Sequence, residues 1–337
     1  MLEDMSESLF SGEESDSIAT QYFQSGLEKF IEGQHEWAKH DFLKALEFDA
    51  SLVLSYCYLS SIYCEEGNPS TGISLCRKAL LTEPENVHIH FCLGSALDQN
   101  GQKKEAIDSY QIYFQEFSDD AECLFCMANA YDDLGQIEQA RELYHQTIQK
   151  DPSHVKAYFN WALLEGSHER LQKAMDLLQK AVHTDPEYWK AWVKLGIYAS
   201  KLGNLRSSIH AYEQAIRLCP ELIDVHYNLG ISYKLNEEPQ KAASCFEKVL
   251  SVDPQDISAW HNLGVSKMCT DEDEDALKAF QRAVSLDLQH QEAHYRLACV
   301  YVKMGQISKA QNERAFLASL ESDLAFAVDE IIQEYGL

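Results

Sequence analysis

All seven prolines of this 337-residue chain fall at two phases of a 34-residue period. Pro84, Pro152, Pro186, Pro220 and Pro254 are separated by 68, 34, 34 and 34 residues, while Pro69 and Pro239 lie five periods apart. Self-similarity at this period marks supersecondary units that cannot bury their apolar faces alone and must stack on their neighbours. The pattern selects one continuous solenoid over two or three globular domains, and it moves the search for function from a pocket to a surface.

With the main proline phase numbered position 32, units begin at Ala19, Val53, Val87, Ala121, Val155, Trp189, Ile223, Ile257 and Gln291. Position 8 is small throughout (Gly26, Ser60, Gly94, Ala128, Ala162, Gly196, Gly230, Gly264, Ala298), and so is position 20, from Ala38 and Gly72 to Ala276 and Ala310. Small side chains let helices approach closely, so the two helices of a unit are expected to cross at these phases. Large apolar residues occupy the facing phases: Leu59, Leu93, Met127 and Trp161 at position 7, Phe42, Tyr110, Tyr144, Tyr212, Phe246 and Phe280 at position 24. Positions 4, 7, 8 and 11 share one helical face and positions 20, 24 and 27 another, which predicts two amphipathic helices per unit. Gly33, Gly67, Gly101, Gly135, Gly203 and Gly305, all at position 15, suit the end of the first helix. Pro69 and Pro239 suit the first turn of the second, where a missing N–H costs nothing.

This pattern resembles the tetratricopeptide repeat, in nine copies over residues 18–322; unit seven is clearest, with His226-Tyr227-Asn228-Leu229-Gly230-Ile231-Ser232-Tyr233, then Ala242, Phe246 and Pro254. The resemblance implies an all-α fold, a right-handed superhelical solenoid of about nine helix-turn-helix units. Four residues depart from it: Lys29, Glu165 and Lys267 at position 11, and Arg314 at position 24. Residues 1–17, acidic and Ser-rich, read as a flexible tail in which only Leu9 and Phe10 invite docking. Residues 323–337 read as a capping helix, with Leu324, Val328, Ile331 and Tyr335 on its apolar face; the alternative is a helix that docks into a second protomer. The units also look like the helical array of a protein O-linked N-acetylglucosamine transferase, without its catalytic region.

A formal net charge of −26 opposes nucleic acid and anionic membrane surfaces. No apolar run approaches a membrane span, and the N-terminus lacks a basic-then-apolar leader pattern. The ten cysteines follow the repeat rather than a disulfide framework, so core thiols in a reducing cytoplasm are expected. Cys123 and Cys126 lie mid-helix with no second pair or spaced His to complete a zinc site. His88 and His90 point to different faces of a helix. The run Asp271–Asp275 has Ala276 where a calcium loop needs Gly and Arg282 where it needs Glu. No catalytic constellation, cofactor motif or metal site is expected.

In tetratricopeptide arrays the first helix of each unit lines a concave groove through positions 2, 5, 6, 9, 12 and 13, so the resemblance points to those phases. Units one to four place Glu65, Asp98, Glu122, Asp132 and Asp133 there, whereas units five to seven place Lys156, Lys190, Lys194, Lys201 and Lys234 against Asp224 alone. Aromatics recur at position 5 (Phe23, Phe91, Phe125, Phe159, Tyr227, Tyr295), either as packing or as a partly open ladder for apolar side chains. Some units of the family clamp a C-terminal carboxylate through five phases of three successive units. Asn129, Asn160, Lys190 and Lys194 match four of them; Phe125 replaces the first Lys and Lys194 stands where Arg is usual. Asn228 and Asn262 fit a ladder that holds a peptide backbone. The expectation is a non-catalytic scaffold or adaptor, monomer or dimer, that binds an extended protein segment carrying acidic groups or a C-terminal carboxylate. A chaperone for secreted or unfolded clients and a targeting subunit of a transferase are the alternatives.

Overall fold

A computed structural model of the chain describes residues 17–335, and these residues fold as paired α-helices. Thirteen-residue leading helices and fourteen-residue trailing helices, joined by three- and four-residue connectors, make up the 34-residue period from Val53 to Leu286. The chain divides into two compact units that part between Leu164 and Glu165.

The first unit holds α1 (Ile18–Ile31) with α2 (His35–Phe48), α3 (Val53–Glu65) with α4 (Pro69–Thr82), α5 (Val87–Gln99) with α6 (Lys103–Glu116), and α7 (Ala121–Asp133) with α8 (Ile137–Lys150). Helix α9 (Val155–Ser167) carries the parting point. The second unit continues with α10 (Leu171–Thr184), α11 (Trp189–Lys201) with α12 (Leu205–Leu218), α13 (Ile223–Leu235) with α14 (Pro239–Val252), α15 (Ile257–Cys269) with α16 (Asp273–Leu286), and α17 (Gln291–Lys303) with α18 (Ile307–Ser319). A last helix, α19 (Leu324–Glu334), lies against α17 and α18.

The two small phases are where paired helices cross. A Cβ added to Gly94, Gly196, Gly230 or Gly264 would come 2.5–2.8 Å from the ring of Tyr110, Tyr212, Phe246 or Phe280, the aromatic of the partner helix in the same repeat. In the second repeat the roles are exchanged: Ser60 fills position 8, and a Cβ on Gly72 would meet its Oγ at 2.7 Å. The interlocking aromatics are themselves buried, so each repeat passes a continuous apolar core to the next within its unit.

All six position-15 glycines have φ between 69° and 79° and close the leading helix in the left-handed region. Repeats without that glycine keep the same backbone: Glu169, Glu237 and Asp271 hold φ of 59°, 61° and 58° at the same phase. Stacking of the hairpins therefore imposes the turn even where the residue disfavours it.

The four departures from the apolar pattern are each resolved by an opposite charge. Lys29 donates to Asp41, 2.5 Å away, which is only 4% exposed and also accepts from Ser25 at 2.6 Å. Glu165 is fully buried, with Lys173 at 3.1 Å and Arg170 at 3.6 Å. Lys267 sits between Glu247 at 3.3 Å and Glu272 at 3.0 Å. Arg314 forks onto Asp329 of α19 through bonds of 2.7–3.1 Å.

Two expectations at the ends change. Ser17, assigned to the tail, is the N-cap of α1 and accepts the Thr20 N–H at 3.1 Å, while residues 1–16, with Leu9 and Phe10, lie outside the described residues. Helix α19 buries Ala325 and Val328 and packs Leu324 and Ile331 on the last hairpin, but Tyr335 is 55% exposed. Tyr335 stands beyond the last turn of the helix, so it does not reach the face that Val328 and Ile331 share.

Candidate binding groove

Within each unit the leading helices of successive repeats touch one another: α3 meets α5, α5 meets α7, α11 meets α13, α13 meets α15 and α15 meets α17. The leading helices thus form a shared inner wall in each unit, and their polar phases decide what that wall can hold.

In the first unit the inner charges are largely spent on one another. Lys103 bridges Asp98 at 2.9 Å and Asp133 at 2.5 Å; burial works against its charge, but the bonds to the two aspartates outweigh this and raise its pKa. Glu65 pairs with His35 at 2.8 Å. Glu122 meets His154 at 3.2 Å, and that bond holds its carboxyl below the usual range despite burial. Lys156, exposed on α9, adds a weaker favourable charge to Glu122. Asn129 Oδ1 accepts two bonds, from the Tyr144 hydroxyl at 2.7 Å and from Asn160 Nδ2 at 2.8 Å. The two asparagines singled out by the sequence are therefore joined directly, and Tyr144 fixes the rotamer of one of them.

The position-5 aromatics divide. Phe23, Phe125 and Phe159 are buried, and Phe125 packs against the rings of Tyr144 and His154. Phe91 is half-buried against Tyr110 and Tyr113. They form wall more than open rungs, because the trailing helix packs on Phe23, Phe91 and Phe125 and His154 of the next connector covers Phe125.

Two family models described as "Tetratricopeptide repeat" match residues 127–188 and 223–256, and one described as "TPR repeat" matches residues 200–236. These stretches are similar to tetratricopeptide repeats. Solved structures with the same fold include YrrB, described as a TPR protein with an unusual peptide-binding site, at 22% identity and TM-score 0.52 over 56% of this chain and 96% of that one. Another is pilF of Pseudomonas aeruginosa, at 18% identity and TM-score 0.54 over 61% of this chain and 94% of that one. A third is the C-terminal part of a TPR repeat-containing protein from Cytophaga hutchinsonii, at 16% identity and TM-score 0.57 over 72% and 99%. No curated protein sequence matches the chain.

In the second unit the inner wall is charged differently. Lys190, Lys194, Lys201 and Lys234 have no ion pair among the described residues; Lys190 lies over the Trp189 ring at 5.7 Å. Lys190 and Lys201 are exposed, Lys194 and Lys234 half-buried. Tyr227 and Asn228 line a pocket of about 520 Å³ together with Asp224 and Ser258. Asn262, predicted as a rung of a backbone ladder, is buried and fully engaged: it accepts from Lys234 Nζ at 2.6 Å and donates to the Tyr227 hydroxyl at 3.1 Å and the Ser258 carbonyl at 2.9 Å.

The four clamp residues fall in different units, Asn129 and Asn160 in the first, Lys190 and Lys194 in the second. Sequence reasoning placed Tyr144 in the apolar core and missed its hydrogen bond to Asn129; it did not mark Arg296, which binds Glu292. Arg296, at position 6 of the last repeat, carried the same positional signal as Asn262. Among the described residues no three His, Cys, Asp or Glu side chains are placed to hold a metal, and no helix is long and apolar enough to cross a membrane. The cysteines are all free, and burial pushes the Cys123 thiol up to about 12 and the Cys245 thiol to about 11.

Proposed function

We propose that this chain is a non-catalytic interaction scaffold whose inner wall holds an extended segment of a partner protein. The observation that carries the reading is the contrast in inner charge. Acids of the first unit are paired with the chain's own bases, whereas four lysines of the second unit have no ion pair among the described residues. Lysines gathered on one face of a chain with net charge −26 attract an acidic partner locally even though the whole molecule repels it. The same fold carries a peptide-binding site in YrrB, which supports the reading at the level of fold. The sequence-level likeness to a transferase's helical array adds one alternative use of the same groove, as a targeting subunit; transferase activity that co-purifies with the chain would select it.

Affinity purification with the full chain, repeated with Lys190→Ala/Lys194→Ala, tests the proposal. The double variant should retain its fold and lose partners whose isolated segments bind the parent. For such a segment, loss of one exposed and one half-buried charge predicts roughly three- to thirtyfold weaker binding, with a shallower salt dependence. Partners retained equally by both proteins would place binding elsewhere.

A further inference from the structure

The last three repeats contain a cation, Lys234, that has no counter-ion among the described residues. Lys234 of α13 reaches toward α15, where its only hydrogen-bond partner among the described residues is the neutral amide oxygen of Asn262, 2.6 Å away. Asn262 is held in place by the Tyr227 hydroxyl and the Ser258 carbonyl, so it has no freedom to turn away. Burial draws the Lys234 ammonium pKa below its ordinary value, and the Arg296 guanidinium lowers it further. A half-buried ammonium whose hydrogen-bond partner is a neutral amide rather than a carboxylate is poorly compensated.

The surrounding charges define what would compensate it. Arg296 uses Nε and one terminal nitrogen on Glu292, both at 3.0 Å, and lies over the Tyr295 ring at 5.4 Å. His261 stacks on His290 with ring centroids 5.3 Å apart. Burial first, and then His290, Arg296 and Lys234, push the His261 pKa down to about 4 against the opposing pull of Glu292, so the ring is neutral near pH 7. The His290 Nδ1 lone pair accepts the Ala293 N–H at 3.2 Å. Asp256, whose charge acts on the Tyr227 hydroxyl, is committed to capping α15 through the Ala259 N–H at 2.8 Å. Two fixed cations against one carboxylate leave a single positive charge to be neutralised.

We propose that Lys234, Asn262 and Arg296 form a subsite for one side-chain carboxylate, an Asp or Glu within the bound peptide. This rests on the groove reading above and names the chemistry one part of the groove selects. A monoanion matches the single uncompensated charge, whereas a doubly charged phosphate does not. An acidic side chain accepting from the Lys234 ammonium and the free edge of Arg296 would relieve the repulsion between them, with Asn262 holding the ammonium in place.

The test uses the full chain, immobilised, with a library of short random peptides acetylated at the N-terminus and amidated at the C-terminus. The retained pool should be enriched in Asp or Glu at one position, and the pool retained by Lys234→Met should lack that enrichment. For one retained peptide, Glu→Gln at that position should weaken binding to the parent about tenfold and to Lys234→Met by less than about twofold. If Lys234→Met fails to fold, ¹³Cε titration of Lys234 in the parent decides: the Glu peptide should raise the ammonium pKa towards 10.5, and the Gln peptide should leave it unchanged. Retained peptides with no acidic preference, the same preference in the variant, or a preference confined to free C-terminal carboxylates in a parallel uncapped library would overturn the subsite alone. If neither protein retains any peptide, the groove reading fails with it.

Discussion

Glu237 occupies a backbone conformation that an L-residue enters only at a cost of about 1–2 kcal/mol. It is exposed, so the strain brings no visible return in packing. Glu237→Gly is therefore expected to stabilise the chain by about 1 kcal/mol in urea or thermal unfolding. Gly203→Ala, where a Cβ meets nothing within 4 Å, should destabilise by a similar amount from backbone strain alone. Gly196→Ala fails for a different reason. Its Cβ would lie 2.5 Å from the Tyr212 ring, and forcing the helices apart should cost about 1–3 kcal/mol, with part recovered in Gly196→Ala/Tyr212→Leu. Equal stability of Gly196→Ala and the parent would mean that the paired helices are not locked at this crossing.

At the scale of elements, α19 is attached by a small apolar face and one forked ion pair. Ala325 and Val328 are buried, Phe326 is 68% exposed, and Arg314 grips Asp329 with bonds as short as 2.7 Å. The pair lies near the surface, so its loss should loosen the helix without unfolding the repeats. Arg314→Ala should speed amide hydrogen exchange across α19 while leaving α11 to α16 unchanged. Unaltered exchange in α19 would assign its attachment to the apolar contacts alone. Helix existence and phase were legible from the 34-residue period, and the crossing point from the small residues at positions 8 and 20. The partners of Lys29, Glu165, Lys267 and Arg314 were not. A polar residue in an apolar phase announces a departure, but only packing brings the compensating charge within reach.

For the whole molecule, three half-buried histidines set a direction for pH dependence. Burial lowers the pKa of His88, His90 and His261, the last from 6.5 to about 4. The unfolded chain takes up the proton first as pH falls, so the stability associated with the neutral His261 ring is present above pH 6.5 and is lost progressively towards pH 4. Calorimetry across that window should show Tm falling, and falling less steeply in His261→Gln. Identical slopes would exclude His261 as a contributor. The same neutral ring keeps a third positive charge away from Lys234 and Arg296 at neutral pH, so acidification would alter the inner wall as well as weaken the fold.

What the sequence determined by itself was everything that recurs: the repeat length, the helix pairs, the close crossings and the turn phases. Recurrence makes these legible because each repeat poses the same packing problem and answers it with the same residue classes. The groove was legible only as a set of phases, with Lys190, Lys194, Lys234, Asn160 and Asn262 marked and their partners unknown. Tertiary structure alone decided that Asn129 and Asn160 bond to each other, that Phe125 and Phe159 are buried, and that the Lys234 ammonium donates to the fixed amide of Asn262 and not to a carboxylate. Those outcomes depend on which side chains of neighbouring repeats meet, a property of pairs far apart in the chain that no single repeat encodes.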